Sequence, residues 1–294
     1  MPENVKALRR RLRSVRNTMQ ITRAMEMVSA AKLRRAQTML MAGRPYSSKL
    51  KELVKRLGES GSVDHPLVTA RPVSKRWLVL FTADRGLAGA FNAQIIKQAE
   101  RYLASADVPT ELVCIGKKGY DYFRNRTVPL AWSVIDLGAN LSSERAAGIA
   151  AFLREAYISG RTDEVVLLYN QFVSTLIYRP QFEVLLPVGP ALGKDEEEDV
   201  TAASSRVQRE YLLEPTAASL LDVLLPRFVA NRVYITLAET FTAEHSARMV
   251  AMSGATRNCE DLTEQLTLKM NKARQSSITT EIIEIVSGAE ALKA

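Results

Sequence analysis

Both ends of this chain are long stretches almost free of helix breakers. From Glu3 to Leu57 the only glycine is Gly43 and the only proline Pro45, and from Pro215 to about Gly288 the only interior breakers are Pro226 and Gly254. Ala, Leu, Met, Lys, Arg and Gln dominate the first stretch, and these residues cost a helix little. At 1.5 Å per residue the N-terminal helix would run roughly 80 Å, longer than a small domain is wide. Gly43-Arg44-Pro45 is a possible bend in it, and Gly58 and Gly61 are expected to end it. Val5, Leu8, Leu12, Val15, Met19 and Thr22 recur at alternating steps of three and four, the spacing that keeps one stripe on a partner helix. The C-terminal stretch has a matching series: Met249, Met252, Thr256, Cys259, Thr263, Leu266, Met270, Ala273, Ser277 and Thr280. Half of those positions are small or polar, so the seam is expected to pack closely but weakly. Helices at opposite ends of a chain, with a folded middle between them, can meet by running antiparallel. The expected fold class is therefore α/β with a long antiparallel coiled coil of N- and C-terminal helices.

The middle has another rhythm. Trp77 to Phe81, Glu111 to Ile115, Val165 to Tyr169 and Phe182 to Pro187 read as strands, while Phe91 to Ala104, Tyr120 to Asn125 and Ser142 to Ser159 read as helices. Such alternation predicts a parallel or mostly parallel, Rossmann-like central α/β domain. Lys194 to Asp199 and Thr201 to Ser205 look like an exposed loop. The segments then fall at 1–57 for the first coiled-coil helix, 58–214 for the α/β domain and 215–294 for the second.

Charge is unevenly placed. The formal net charge is +8, yet residues 1–57 hold fifteen Lys and Arg against three acids, and the rest is slightly acidic. An electrostatic partner should meet the N-terminal element. Arg9, Arg10, Arg11, Arg13 and Arg16 could track phosphates, but they face all sides of the helix and no aromatic interleaves them. The longest uncharged run, Val165 to Tyr178, is 14 residues with Asn, Gln, Ser and Thr in it, short of the ~20 apolar residues of a membrane helix. No apolar core of a signal peptide appears near Met1, and Cys114 and Cys259 form no metal-binding or disulfide pattern. A reducing compartment is the simpler reading.

Enzymatic signals are weak. Thr82-Ala83-Asp84-Arg85-Gly86-Leu87-Ala88-Gly89 sits where a strand turns into a helix, the place for a phosphate site. It has neither the third glycine of a dinucleotide loop nor a following Gly-Lys-Ser/Thr, so it reads as a structural turn. Of the two histidines, His65 reads as a loop residue beside Pro66 and His245 as a solvated helix residue, neither in a triad pattern. Glu281 and Glu284 read as a solvated helix face. No catalytic, metal or cofactor site is expected.

Three blocks, in order and across the chain, carry a resemblance. The first runs from Arg13-Ser14-Val15-Arg16-Asn17-Thr18 through Ile21-Thr22-Arg23-Ala24-Met25-Glu26-Met27-Val28 to Ala31-Lys32-Leu33-Arg34-Arg35-Ala36. The second is Asp84-Arg85-Gly86-Leu87-Ala88-Gly89-Ala90-Phe91-Asn92. The third joins Ala247-Arg248-Met249-Val250-Ala251-Met252 to Leu266-Thr267-Leu268, Asn271-Lys272-Ala273-Arg274-Gln275, Ile278-Thr279-Thr280-Glu281 and Glu284-Ile285-Val286-Ser287-Gly288-Ala289. Together they resemble the gamma subunit of the F-type ATP synthase, the central rotor shaft of that enzyme. The resemblance implies a non-catalytic subunit whose paired terminal helices lie inside a ring of three alpha and three beta subunits. It further implies contacts with the epsilon subunit and the membrane c-ring, with no nucleic acid and no insertion into the bilayer, at the cytoplasmic face of a bacterial plasma membrane. Met25, Arg248, Gln275, Thr279 and Glu281 match positions facing catch loops of the beta subunits, and Tyr211 and Glu214 match the foot that meets the membrane ring and epsilon. Ala88 and Ala90 stand where Cys and Gly are common, and no paired cysteines suggest a thiol switch. Two competing readings are a basic coiled-coil protein that binds nucleic acid and an α/β enzyme using the Gly86 to Gly89 turn.

Overall fold

A computed structural model describes residues 5–59, 65–138, 141–189 and 216–291. The order of elements is α1 (Val5–Glu59), β1 (Arg76–Phe81), α2 (Phe91–Ala104), β2 (Thr110–Ile115), α3 (Lys117–Phe123), β3 (Leu130–Val134), α4 (Ser143–Ile158), β4 (Glu164–Phe172), β5 (Tyr178–Leu186) and α5 (Ala217–Ala291). The expected loop at 194–205 lies outside the described residues. Two compact units emerge, one of residues 1–30 with 248–294 and the other of residues 31–247, so the division falls inside each long helix.

In the larger unit a five-stranded sheet has the order β3-β2-β1-β4-β5. β1 pairs in parallel with β2 and β4, β2 in parallel with β3, and β4 antiparallel with β5. Strand residues alternate between two apolar layers. Trp77, Val79 and Phe81 join Val113, Ile115, Val165 and Leu167 on one face, under α4 and under apolar residues of α1 and α5 such as Leu50, Val54, Phe228 and Val233. Leu78, Leu80, Leu112, Cys114 and Leu168 face the other way, against Ile95 and Ala99 of α2 and Phe123 of α3. Burial on both faces is why the inner strands read as continuous apolar runs. This is the Rossmann-like domain expected from the alternation.

One strand, β3, was not expected, and two others run longer than expected, β4 to Phe172 and β5 from Tyr178. β3 was not legible because Leu130-Ala131-Trp132-Ser133-Val134 is an edge strand half-buried at every position, without the β-branched run that marks an inner strand. β5 begins at Tyr178 and includes Pro180, which an edge strand tolerates because its missing N–H interrupts no inner ladder. Helix α3 starts three residues earlier than expected, at Lys117. Gly116, at φ +106°, turns the chain into it.

Both breaker-poor stretches are single helices, of 55 and 75 residues, that run through Pro45 and Pro226. Gly43 has a packing reason: a Cβ there would lie 3.0 Å from Ile235 Cδ1, so its absence lets α1 approach α5 closely.

The smaller unit is a helix pair. Leu8, Leu12 and Val15 pack with Leu266, Met270 and Ala273. Farther along, Thr22 Oγ1 lies 2.8 Å from Thr256 Oγ1. As numbers rise on one helix they fall on the other, so the pair is antiparallel. The expected seam matches the buried and half-buried positions of α5 from Met249 through Ala273, whereas every residue from 274 to 289 is exposed.

Candidate functional site

The Gly86–Gly89 turn lies at the carboxyl end of the sheet, where doubly wound folds hold ligands. Here the chain supplies its own anion. Asp84 Oδ1 accepts hydrogen bonds from the backbone N–H of Lys117 (2.9 Å) and Asp136 (3.3 Å), and Oδ2 accepts from Leu137 (2.7 Å). Asn92 Oδ1 accepts from Ala83 N at 3.0 Å, and Thr82 Oγ1 from Gly119 N at 2.9 Å. The amides a phosphate would use are held by side chains of the motif, which ties together the chain ends of β1, β2 and β3. Leu87 and Gly89 have φ of 60° and 57°. Leu87 is exposed, and its left-handed backbone costs about 1 kcal/mol.

The candidate contact residues do not form one cluster. Met25 is half-buried on α1, while Ile21, Met27 and Val28 beside it are exposed. Arg248 is only 7% exposed. Gln275, Thr279 and Glu281 lie on the part of α5 exposed on all sides. There Thr279 Oγ1 donates to Gln275 O at 2.9 Å and Ser277 Oγ to Glu281 Oε1 at 3.3 Å. The same segment exposes Ile278, Ile282, Ile283, Ile285 and Val286. Five exposed branched apolar residues within nine positions are an apolar surface in search of cover. Tyr211 and Glu214 lie outside the described residues.

Sequence reasoning missed the polar contacts that fasten α5 to the β4–β5 hairpin. Glu239, 6% exposed, accepts from Phe172 N at 2.7 Å through Oε2 and from Arg44 Nη2 at 3.2 Å through Oε1. Arg232 donates to Glu183 Oε2, the oxygen that also accepts from the Tyr169 hydroxyl at 3.2 Å. Burial pushes the Tyr169 phenol up, and Ser246 Oγ donates to Thr175 O in the hairpin turn. The one available signal was a polar residue every seventh position, Arg232, Glu239 and Ser246, and other polar residues between them, such as Thr236, Thr240 and Glu244, mask it. His245 corrects another expectation. It is buried at 6% exposure, edge-on to the Phe241 ring, rather than solvated, because the α5 face carrying it is covered. His65 Nδ1 accepts from Leu67 N at 3.0 Å within a loop turn.

Among the described residues no group of three or more His, Cys, Asp or Glu is placed to hold a metal ion. No described helix is long and apolar enough to cross a membrane. Cys114 is fully buried in the sheet and burial pushes its thiol up to about 12, which keeps it protonated and unreactive.

A doubly wound α/β domain in one chain with a long antiparallel helix pair, whose longer helix ends in exposed isoleucines, defines a coiled-coil subunit built for assembly. A profile of the family described as ATP synthase matches residues 4–292. The chain is 44% identical over 293 residues to the ATP synthase gamma chain of Moorella thermoacetica, covering 99% of each. It is 43% identical over 296 residues to that of Symbiobacterium thermophilum, covering 100% of each. Among solved structures, the central stalk and c-ring of the Tetrahymena thermophila mitochondrial ATP synthase contains a chain similar at TM-score 0.62 and 26% identity, covering 80% of this chain and 99% of that one. A chain of the Euglena gracilis mitochondrial enzyme shares the fold at TM-score 0.64 and 20% identity, over 98% and 94% of the two chains. The chain belongs to the ATP synthase gamma-chain family, the family of central-stalk subunits.

Proposed function

We propose that this chain is the rotor subunit of an F-type ATP synthase, coupling ion flow through the membrane ring to ATP synthesis at catalytic sites carried by the beta subunits. The chain makes no ATP itself. Its partners are the alpha and beta subunits of the catalytic hexamer, the epsilon subunit and the membrane c-ring, at the cytoplasmic face of a bacterial plasma membrane. Coupling then works by differential contact: one asymmetric shaft presents different faces to three equivalent sites, and each orientation favours a different site conformation.

The observation that carries this reading is the end of α5. Residues 274–289 are exposed on every face and include five branched apolar side chains. A helix that is apolar and without cover in its own chain fits inside a collar of other subunits. Gln275, Thr279 and Glu281 belong to this surface, and Met25 would contribute from α1, where it is half-buried. Arg248, already buried, would serve by holding the helix pair at the height of the catch loops.

The test is co-expression with the cognate alpha and beta subunits, followed by native mass and ATPase activity of the purified assembly. A three-to-three-to-one particle whose turnover depends on this chain is expected. A chain that stays alone, or binds without changing turnover, overturns the reading.

A further inference from the structure

The rotor reading requires twist to pass between the α/β sheet and α5, and this inference rests on that reading. Arg232, Glu239 and Ser246 are spaced by seven residues on α5, so they form one stripe that drifts only about 20° per heptad and spans roughly 21 Å of helix. All three bond to the same hairpin at different heights. Arg232 meets Glu183 on β5, Glu239 meets the Phe172 N–H at the end of β4, and Ser246 meets the Thr175 carbonyl in the turn. The middle rung also holds α1, through Arg44.

Around these rungs the contact between α5 and the sheet is apolar: Phe228, Val229, Val233, Leu237 and Phe241 lie in the common core. Apolar packing is non-directional and tolerates small slides. A buried charge or hydroxyl is different, because moving it away from its partners leaves a desolvated group unpaired. Buried polar groups of this kind fix register, as a lone polar residue does in a coiled coil. Two of them, Glu239 and Ser246, with the half-buried Arg232 a heptad before, are stacked along the helix and all reach one hairpin, and together they oppose rotation about the helix axis as well as sliding along it.

We propose that Arg232, Glu239 and Ser246 are positioning residues that lock the angle between α5 and the α/β sheet, so that torque applied to one is delivered to the other without slip. The β4–β5 hairpin is the arm on which that torque acts.

The experiment uses the whole membrane-reconstituted enzyme with a rotation probe on the α/β domain and the catalytic hexamer fixed to a surface. Glu239→Leu removes the middle rung at nearly constant volume, and Ser246→Ala removes the rung at the hairpin turn. Both are expected to assemble and to hydrolyse ATP at the wild-type rate. The angular variance of the stalled probe should rise about twofold in Glu239→Leu, since variance scales inversely with stiffness, and less in Ser246→Ala, which loses one uncharged bond. Ions pumped per ATP should fall in the same order. Wild-type variance and pumping in both assembled variants overturn the lock. If Glu239→Leu does not assemble, Ser246→Ala decides alone, and loss of assembly in both makes the rungs folding determinants and also overturns it. A wild-type complex whose probe does not turn fails the rotor reading and leaves the lock unaccused.

Discussion

Asp84 and Gly116 show what single residues contribute at the carboxyl end of the sheet. Gly116 sits where a Cβ would fall 2.0 Å from Thr82 O, at φ +106°, so neither geometry nor space admits another residue. Gly116→Ala should cost about 3 kcal/mol or more, read as a shifted urea midpoint, and a cost under about 1 kcal/mol would mean that the turn relaxes. None of these contacts was legible, since the partners of Asp84 are 33, 52 and 53 residues away in sequence. Asp163 is the clearest electrostatic case. The Ser74 hydroxyl at 2.5 Å pulls its carboxyl down to about 2, helped by the Ser74 and Lys75 N–H groups and by Arg71. A carboxyl whose pKa is lower in the folded chain stabilises above its unfolded value near 3.8 and loses that contribution as pH falls toward about 2. The stability gap between wild type and Asp163→Asn should therefore be full at pH 5 and shrink through this window. A gap that stays constant down to pH 2 in thermal melts would contradict the assignment. Glu281, exposed and bonded only loosely to Ser277 at 3.3 Å, has little to lose in the free chain. Glu281→Ala should change turnover or coupling of the assembled enzyme without changing the chain's stability, and unchanged ATP-driven pumping would remove it from the contact set.

Whole elements were legible wherever the period was long. The heptad positions of both terminal helices are the ones buried or half-buried up to Thr22 on α1 and Ala273 on α5, because a seam pattern records its own partner face. Inner strands β1, β2 and β4 were legible for a similar reason, since burial on both sides leaves a continuous apolar run in the middle of each. Edge strand β3 and the covered face holding His245 depend on neighbours that no local pattern names, and the contacts of Glu239 with the hairpin and with Arg44 of α1 span 67 and 195 residues. Seam and surface should respond differently to truncation. Leu12, 6% exposed, lies against Leu266, so Leu12→Ala should cost about 2–4 kcal/mol in the free chain. Ile21, 60% exposed, should cost within about 0.5 kcal/mol as Ile21→Ala in the free chain. Chemical denaturation of the two variants checks this, and equal losses would mean that the heptad series is not the seam.

At the scale of the whole molecule, the chain leaves unfinished the very surfaces that assembly would complete. Its basic charge is gathered in residues 1–57, and Arg9, Arg10, Arg11, Arg13 and Arg16 all point to solvent. Residues 274–289 of α5 are all exposed, and the seam upstream is built from Thr256, Cys259 and Thr263 as much as from Met252 and Leu266. Helices in water draw most of their stability from packing of an apolar face rather than from propensity. A segment with exposed isoleucines and no packing is therefore the least stable helix in the free chain. In a complex the same small and apolar side chains allow close approach of surrounding subunits, which would supply the missing contacts. Amide hydrogen exchange should show the difference directly. Residues 274–289 are expected to exchange rapidly in the isolated chain, while the Leu8, Leu12 and Leu266 seam is protected, because opening free energies follow local burial. Bound to the alpha and beta subunits, the same segment should gain protection of about 100-fold or more. Full protection of residues 274–289 in the isolated chain would show that the helix needs no collar, and the small residues of the seam would then be fillers of a close helix pair rather than an adaptation to being surrounded.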